Sequence, residues 1–199
     1  MRVLIDALGL VPTNTNIIGH DLGAFAAYAY AAQFARKGDK LVMMDATVPG
    51  LGIWPMLLQS AQTWHFGFYG RYAEAILEGR ERIYLDRHWD EFAADAGAIT
   101  DEMREFYASL YIRPGAVGRA LSHFEAFEQD AQDNAEFAKQ KLTIPVLGLG
   151  GEHSLGPMIA DHVALLASSS QSEIIAGAGH WLLEENTEAT IRAVREFLQ

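Results

Sequence analysis

Four short apolar runs constrain this chain more than any other feature: Asn16-Ile17-Ile18-Gly19, Lys40 to Asp45 (KLVMMD), Ile144 to Gly150 (IPVLGLG) and Ser172 to Ala176 (SEIIA). Each is strand-sized, and helical patterns fill the chain between them. A strand buried on both faces reads as an unbroken apolar run, the pattern of a parallel sheet covered by helices. Before the first run, Val3, Leu4, Ala7, Leu8 and Leu10 recur at helical spacing, and Gly9 and Pro12 end that segment. A helix over 24–35 follows the first run, and a last helix runs from Thr187 to Leu198 with Ile191, Val194 and Leu198 on one stripe. Residues 51–141 break this alternation: they are helical, rich in aromatic and charged residues, and carry no strand signal. The chain therefore reads as an α/β fold, with a parallel-sheet core at 1–50 and 142–199 and a helical cap at 51–141.

Charge and composition narrow the function. Among 199 residues, 26 Asp and Glu outweigh 15 Lys and Arg, a net charge of −11. Nucleic-acid binding relies on clustered basic residues, so that balance argues against such a partner. No cysteine is present, which removes disulfides, thiol nucleophiles and cysteine-held metals together. No apolar stretch reaches the roughly 18–20 residues of a membrane span. Asp6 interrupts the N-terminal MRVLIDALGL, which lacks a signal peptide's long apolar run. The expectation is a cytoplasmic protein acting on a small molecule, with no membrane partner.

The sharpest chemical signal is Gly19-His20-Asp21-Leu22-Gly23, lying between a strand and a helix. A Gly-x-nucleophile-x-Gly bend projects its central side chain above the sheet, and the backbone N–H of Leu22 would face developing negative charge. A carboxylate at the centre is already ionised, attacks an electrophilic carbon without a base, and leaves an ester for water to cleave. Taken alone, the bend fits equally an Asp21 that merely caps the helix. Two further residues favour chemistry. His180, on the loop before the final helix, stands where a general base would activate water. Asp45 ends the second strand at the same sheet edge and would hold His180 in the required tautomer.

Gly-His-Asp-Leu-Gly, Leu-Val-Met-Met-Asp-Ala-Thr-Val-Pro-Gly and Gly-Ala-Gly-His-Trp together resemble the α/β-hydrolase superfamily, in its branch of epoxide hydrolases and haloalkane and haloacetate dehalogenases. Trp64-His65-Phe66-Gly67-Phe68 and Gly79-Arg80-Glu81-Arg82 resemble that branch's helical cap. The resemblance implies Asp21 as nucleophile, His180 as base and Asp45 as acid, with Glu152 as the alternative acid. Many relatives carry Asp where Ser154 stands, and its absence favours Asp45. The implied substrate pocket is lined by His20, Trp64, His65, Phe66, Tyr69, Tyr111 and Trp181, and the reaction needs no cofactor and no metal.

Three departures from that family carry their own expectations. The strands and the His-Gly-x-Pro loop that precede the nucleophile in relatives have no counterpart after Met1. The Ile17-Ile18 strand is therefore expected at an open sheet edge, covered by a second copy of the chain as a homodimer. The alternative to an enzyme is a non-catalytic hydrolase-like module that binds or self-associates. Leu22 and Phe25 stand where haloacetate dehalogenases place arginines, so the substrate is expected to be neutral. The family's cap tyrosine is replaced by Phe124, leaving His65, Tyr69, Tyr107, Tyr111 or His123 as proton donor, of which His65 matches the cap motif. Elsewhere, Gly148, Gly150 and Gly151 lack the Lys-Ser/Thr of a phosphate loop. His153, Asp161 and His162 form no ligand set with metal spacing. Glu184 and Glu185 read as opening the last helix and complementing its dipole.

Overall fold

A computed structural model describes residues 2–9, 15–35 and 39–199. Its sheet holds four parallel strands in sequence order: β1 (Asn16–His20), β2 (Lys40–Met44), β3 (Val146–Gly151) and β4 (Ser170–Ile175). Ile17, Leu41, Val146 and Ser170 lie in one row across it. The helices are α1 (Arg2–Ala7), α2 (Leu22–Phe34), α3 (Trp54–Leu57), α4 (Arg71–Leu77), α5 (Glu81–Phe92), α6 (Asp101–Tyr111), α7 (Ala116–Glu125), α8 (Phe127–Phe137), α9 (Met158–Leu166), α10 (Leu182–Glu185) and α11 (Thr187–Leu198). The expected N-terminal stripe is α1; its Leu10 and the stop at Pro12 lie outside the described residues. No helix among the described residues is long and apolar enough to cross a membrane.

Side chains alternate across a strand, so a run apolar at every position must be covered twice. In β2, Leu41 and Met43 pack with Ala27 and Tyr28 of α2 and Ile159 and Val163 of α9. Val42 and Met44 pack on the opposite face with Leu182 of α10 and Ala193 of α11. Gly148 in β3 faces α9, where an added Cβ would sit 2.8 Å from both Ile159 and Val163. The glycines of that strand therefore admit a close helix rather than a phosphate. β1 pairs only with β2 among the described residues, and Ile18 remains 47% exposed at that edge.

No strand occurs between β2 and β3; the chain there runs through α3–α8 and two 3-10 turns, Ala61–Gly67 and Ala96–Ala98. This segment has its own small core of Ala73, Leu77, Val117 and Leu121. Arg104 ties α6 to α5, donating to the Ala96 and Ile99 carbonyls at 3.0 Å each and pairing with Asp86 at 3.0 Å and Asp90 at 2.9 Å. Arg82 adds pairs to Asp86, Asp101 and Glu105, which also join α5 to α6.

Candidate active site

Asp21 follows β1, Asp45 follows β2 and His180 lies on the loop after β4, so all three gather at the carboxyl edge of the parallel sheet. That edge is where open α/β sheets present their ligand crevice. The bend at Asp21 is strained: its φ is 52° and ψ −125°, a region that L-residues occupy at a cost of about 1–3 kcal/mol. The neighbouring backbone closes tightly. A Cβ on Gly19 would overlap Gly23 O and lie 2.6 Å from Ala24 Cα, whereas one on Gly23 would meet nothing within 4 Å. Only the first glycine of the pentapeptide is sterically required. Gly19→Ala is expected to destabilise the protein by about 1–3 kcal/mol or more, and Gly23→Ala to change stability by no more than about 1 kcal/mol. Urea unfolding of both variants checks the contrast, and equal losses would contradict it.

Asp21 makes no side-chain bond to the helix it precedes, which overturns the capping alternative. It lines two adjoining hollows instead. One, of about 130 Å³, also takes in Asp45, His65, Phe66, His180 and Trp181. The other, of about 320 Å³, takes in Leu22, Tyr84, Tyr111, His123 and Phe124. Leu22 opens α2, where the first N–H groups have no acceptor inside the helix.

Asp45 is held from every side. Its Oδ1 accepts the N–H groups of Gly151 at 2.9 Å and Leu155 at 3.3 Å, and its Oδ2 accepts the Ser154 hydroxyl at 2.6 Å and His180 Nδ1–H at 2.8 Å. Burial pushes the Asp45 pKa up, but the His180 bond and charge, with the Ser154 and Gly151 bonds, bring it below the ordinary carboxylate value. An ionised carboxylate only accepts, so the proton on His180 sits at Nδ1 and Nε2 keeps its lone pair. Burial pulls the His180 pKa down. The Asp45 bond and the charges of Asp21, Asp45 and Glu185 outweigh it and leave the imidazole above its ordinary value. Glu152 does not compete: half exposed, it accepts the Gly177 N–H at 2.8 Å.

The pocket residues expected from sequence divide. His65, Phe66, Tyr111 and Trp181 line the two hollows with Asp21. His20 does not; it stands against His180, ring centroids 4.5 Å apart, with Nε2–H donated to the His180 carbonyl at 2.8 Å. Burial and the neighbouring His180 lower its pKa to about 4. Trp64 is half exposed, its ring turned to Phe68 and Tyr84. Tyr69, also half exposed, borders a separate groove beside α8. Among the donor candidates, Tyr107 packs on Trp89. His65 is buried and its Nδ1 accepts Arg87 Nη1–H at 3.1 Å, which puts its own proton on Nε2. Burial, His88 and Arg87 lower its pKa to about 3, so it is a neutral donor.

Two residues near the site escaped the sequence. Tyr84 reaches the second hollow, its hydroxyl buried with no partner among the described residues and its pKa raised to about 12 by burial. Glu185 does not open the last helix: it ends α10, and Asn186 caps α11 by accepting the Ala189 N–H at 3.2 Å. Among the described residues, no group of three His, Asp or Glu is placed to hold a metal.

The profile of the alpha/beta hydrolase fold family matches residues 1–187. The soluble epoxide hydrolase of Corynebacterium sp. (strain C12) is 24% identical over 205 residues, covering 99% of this chain and 70% of its own length. An sn-1-specific diacylglycerol lipase of Xenopus laevis is 25% identical over 197 residues, covering 94% of this chain and 59% of the lipase. Among solved structures, Cfl2 from Burkholderia cenocepacia superposes with a TM-score of 0.84 at 27% identity, over 98% of this chain and 68% of that one. Because the family match runs through the bend, the helical segment and the histidine loop alike, this chain belongs to the alpha/beta hydrolase fold family.

Proposed function

We propose that this chain hydrolyses a neutral, apolar epoxide or carbon–halogen substrate through an ester on Asp21. The observation that carries the proposal is the 2.8 Å bond between Asp45 and His180 at the wall of the hollow that Asp21 also lines. The likeness to an epoxide hydrolase favours the epoxide. The likeness to a lipase does not supply a mechanism, because the bend carries a carboxylate where acyl transfer would use a hydroxyl. Phe25, Trp54 and Phe92 make the hollow apolar, which suits an uncharged substrate.

In this reading, 51–141 is a cap over the sheet edge. An Asp21 oxygen attacks a ring carbon, the carbon–oxygen bond breaks, and the alkoxide is met by His65 Nε2–H from the cap. His180 Nε2 then removes a proton from water, and the hydroxide adds to the Asp21 ester carbonyl. The resulting oxyanion faces Leu22 N–H. Collapse expels the second alkoxide and leaves Asp21 as the acid. The two protons of the water, one on His180 and one on Asp21, end on the two product oxygens, giving a diol. A halide would leave as the anion, with one proton released to solvent. Mass mapping after rapid quench with an epoxide tests the proposal: an adduct on the peptide containing Asp21 is expected, and turnover without any adduct would refute it.

We propose separately that the open β1 edge pairs with the same edge of a second copy. Unpaired strand N–H and C=O groups template such pairing, and a two-fold axis makes the edge self-complementary. A polypeptide of these 199 residues is expected to elute as a dimer or larger on sizing chromatography. A stable monomer would remove this proposal without touching the chemistry.

A further inference from the structure

The loop carrying His180 is hydrogen-bonded to the segment at the end of α5. Its own amide donates to the Phe92 carbonyl at the end of α5, at 2.8 Å. Gly179 is pressed so close to that segment that a Cβ would overlap Phe92 O and lie 2.5 Å from Ala94 N. One side chain joins the two pieces. Glu185 Oε1 accepts the N–H groups of Ala94 at 2.5 Å and Asp95 at 3.0 Å, just past α5. Glu185 Oε2 accepts those of Gly179 at 2.9 Å and Trp181 at 3.1 Å, the two neighbours of His180. A single carboxylate thus satisfies four backbone donors from segments some 85 residues apart, two from the cap and the two that flank the imidazole. Bonds from N–H groups to a charged acceptor are among the stronger ones.

We propose that Glu185 is a positioning residue that fixes the imidazole of His180 in register with the cap. It touches no reacting atom. It acts through the amides on either side of His180, and it ties them to the end of α5. The same helix carries Arg87, whose guanidinium holds His65. Base and cap donor therefore keep one separation for as long as Glu185 is bound. The proposal rests on the reading of His180 as the base of ester hydrolysis, and it predicts a selective fault. Attack by Asp21 does not need His180; cleavage of the ester does.

Glu185→Gln tests it, because an amide keeps only one oxygen. Whichever way it turns, one pair of N–H groups loses its acceptor and faces an NH₂ donor instead. Single-turnover quench with an epoxide is expected to show ester formation within about threefold of wild type and ester hydrolysis slowed about 10²-fold, so the adduct accumulates. Hydrogen exchange, read without substrate, is expected to quicken about tenfold or more at residues 94–95 or 179–181, and at both in Glu185→Ala. Glu185→Asp, one methylene shorter, serves where the glutamine variant folds poorly, with a smaller accumulation of the same kind. Equal slowing of both half-reactions without accumulation, or exchange unchanged at both segments, would overturn the proposal. A wild type that forms no adduct would refute the proposed chemistry, while the exchange experiment would still decide whether Glu185 holds the two segments together.

Discussion

Asp21→Ala is expected to lower kcat/KM toward epoxides by about 10⁴-fold or more, since in the proposed chemistry neither half of the reaction starts without that carboxylate. Among the described residues lining the two hollows, no second carboxylate is free to take over. Asp45, the other acid in the smaller hollow, spends both oxygens on four hydrogen bonds and is buried behind His180. Because Asp21 sits at a positive φ, alanine adds backbone strain to the chemical loss. Asn tolerates that conformation better than most residues, so Asp21→Asn separates the two effects. Both variants should lose turnover and the trapped adduct together, and only Ala should lower the unfolding midpoint. Steady-state rates with an epoxide panel, beside urea unfolding, check this. Undiminished turnover in either variant would take Asp21 out of the mechanism.

His180→Gln is expected to fail later in the cycle. Ester formation proceeds, hydrolysis slows by about 10²–10⁴-fold, and intact-mass measurement finds the protein carrying one substrate equivalent. The pH dependence has a definite sign. A general base works only when neutral, and the surrounding carboxylates raise His180 above its ordinary 6.5. The rate of ester hydrolysis should therefore fall on the acid side, with a midpoint below that of His180 in the free protein because Asp21 carries no charge once esterified. Asp45→Asn removes the bond that contributes most to that rise, so its midpoint should move to lower pH while the limiting rate also drops. A wild-type profile flat from pH 5 to 8, with ester hydrolysis confirmed as the slow step, would contradict His180 as the base.

The strand pattern was readable because it is local. KLVMMD must be covered on both faces whatever lies around it, and Ile17-Ile18 declares a strand for the same reason. The bend at Asp21 and the histidine near the far end of the chain were readable because glycine spacing and position after a strand are also local facts. The reading failed where the answer depended on how helices separated in sequence come to lie. Trp64 and Tyr69 were expected in the pocket, but both stand half exposed outside the two hollows. Tyr84 gave no signal at all, since its hydroxyl is placed by the angle at which α5 meets the other helices.

The sequence by itself determined that parallel strands would carry a carboxylate and an imidazole to one edge of the sheet, since burial on two faces and a cramped strand–helix bend leave few alternatives. Only the tertiary structure decided which acid meets the imidazole. Asp45 and Glu152 both follow strands at that edge, but Asp45 turns inward among the amides of the β3 loop while Glu152 faces solvent and binds Gly177. It alone assigned Glu185 as well. Hydrogen bonds from Ala94 and Asp95, just past α5, to Glu185 join residues some 90 positions apart, a separation over which no periodicity in the chain carries information.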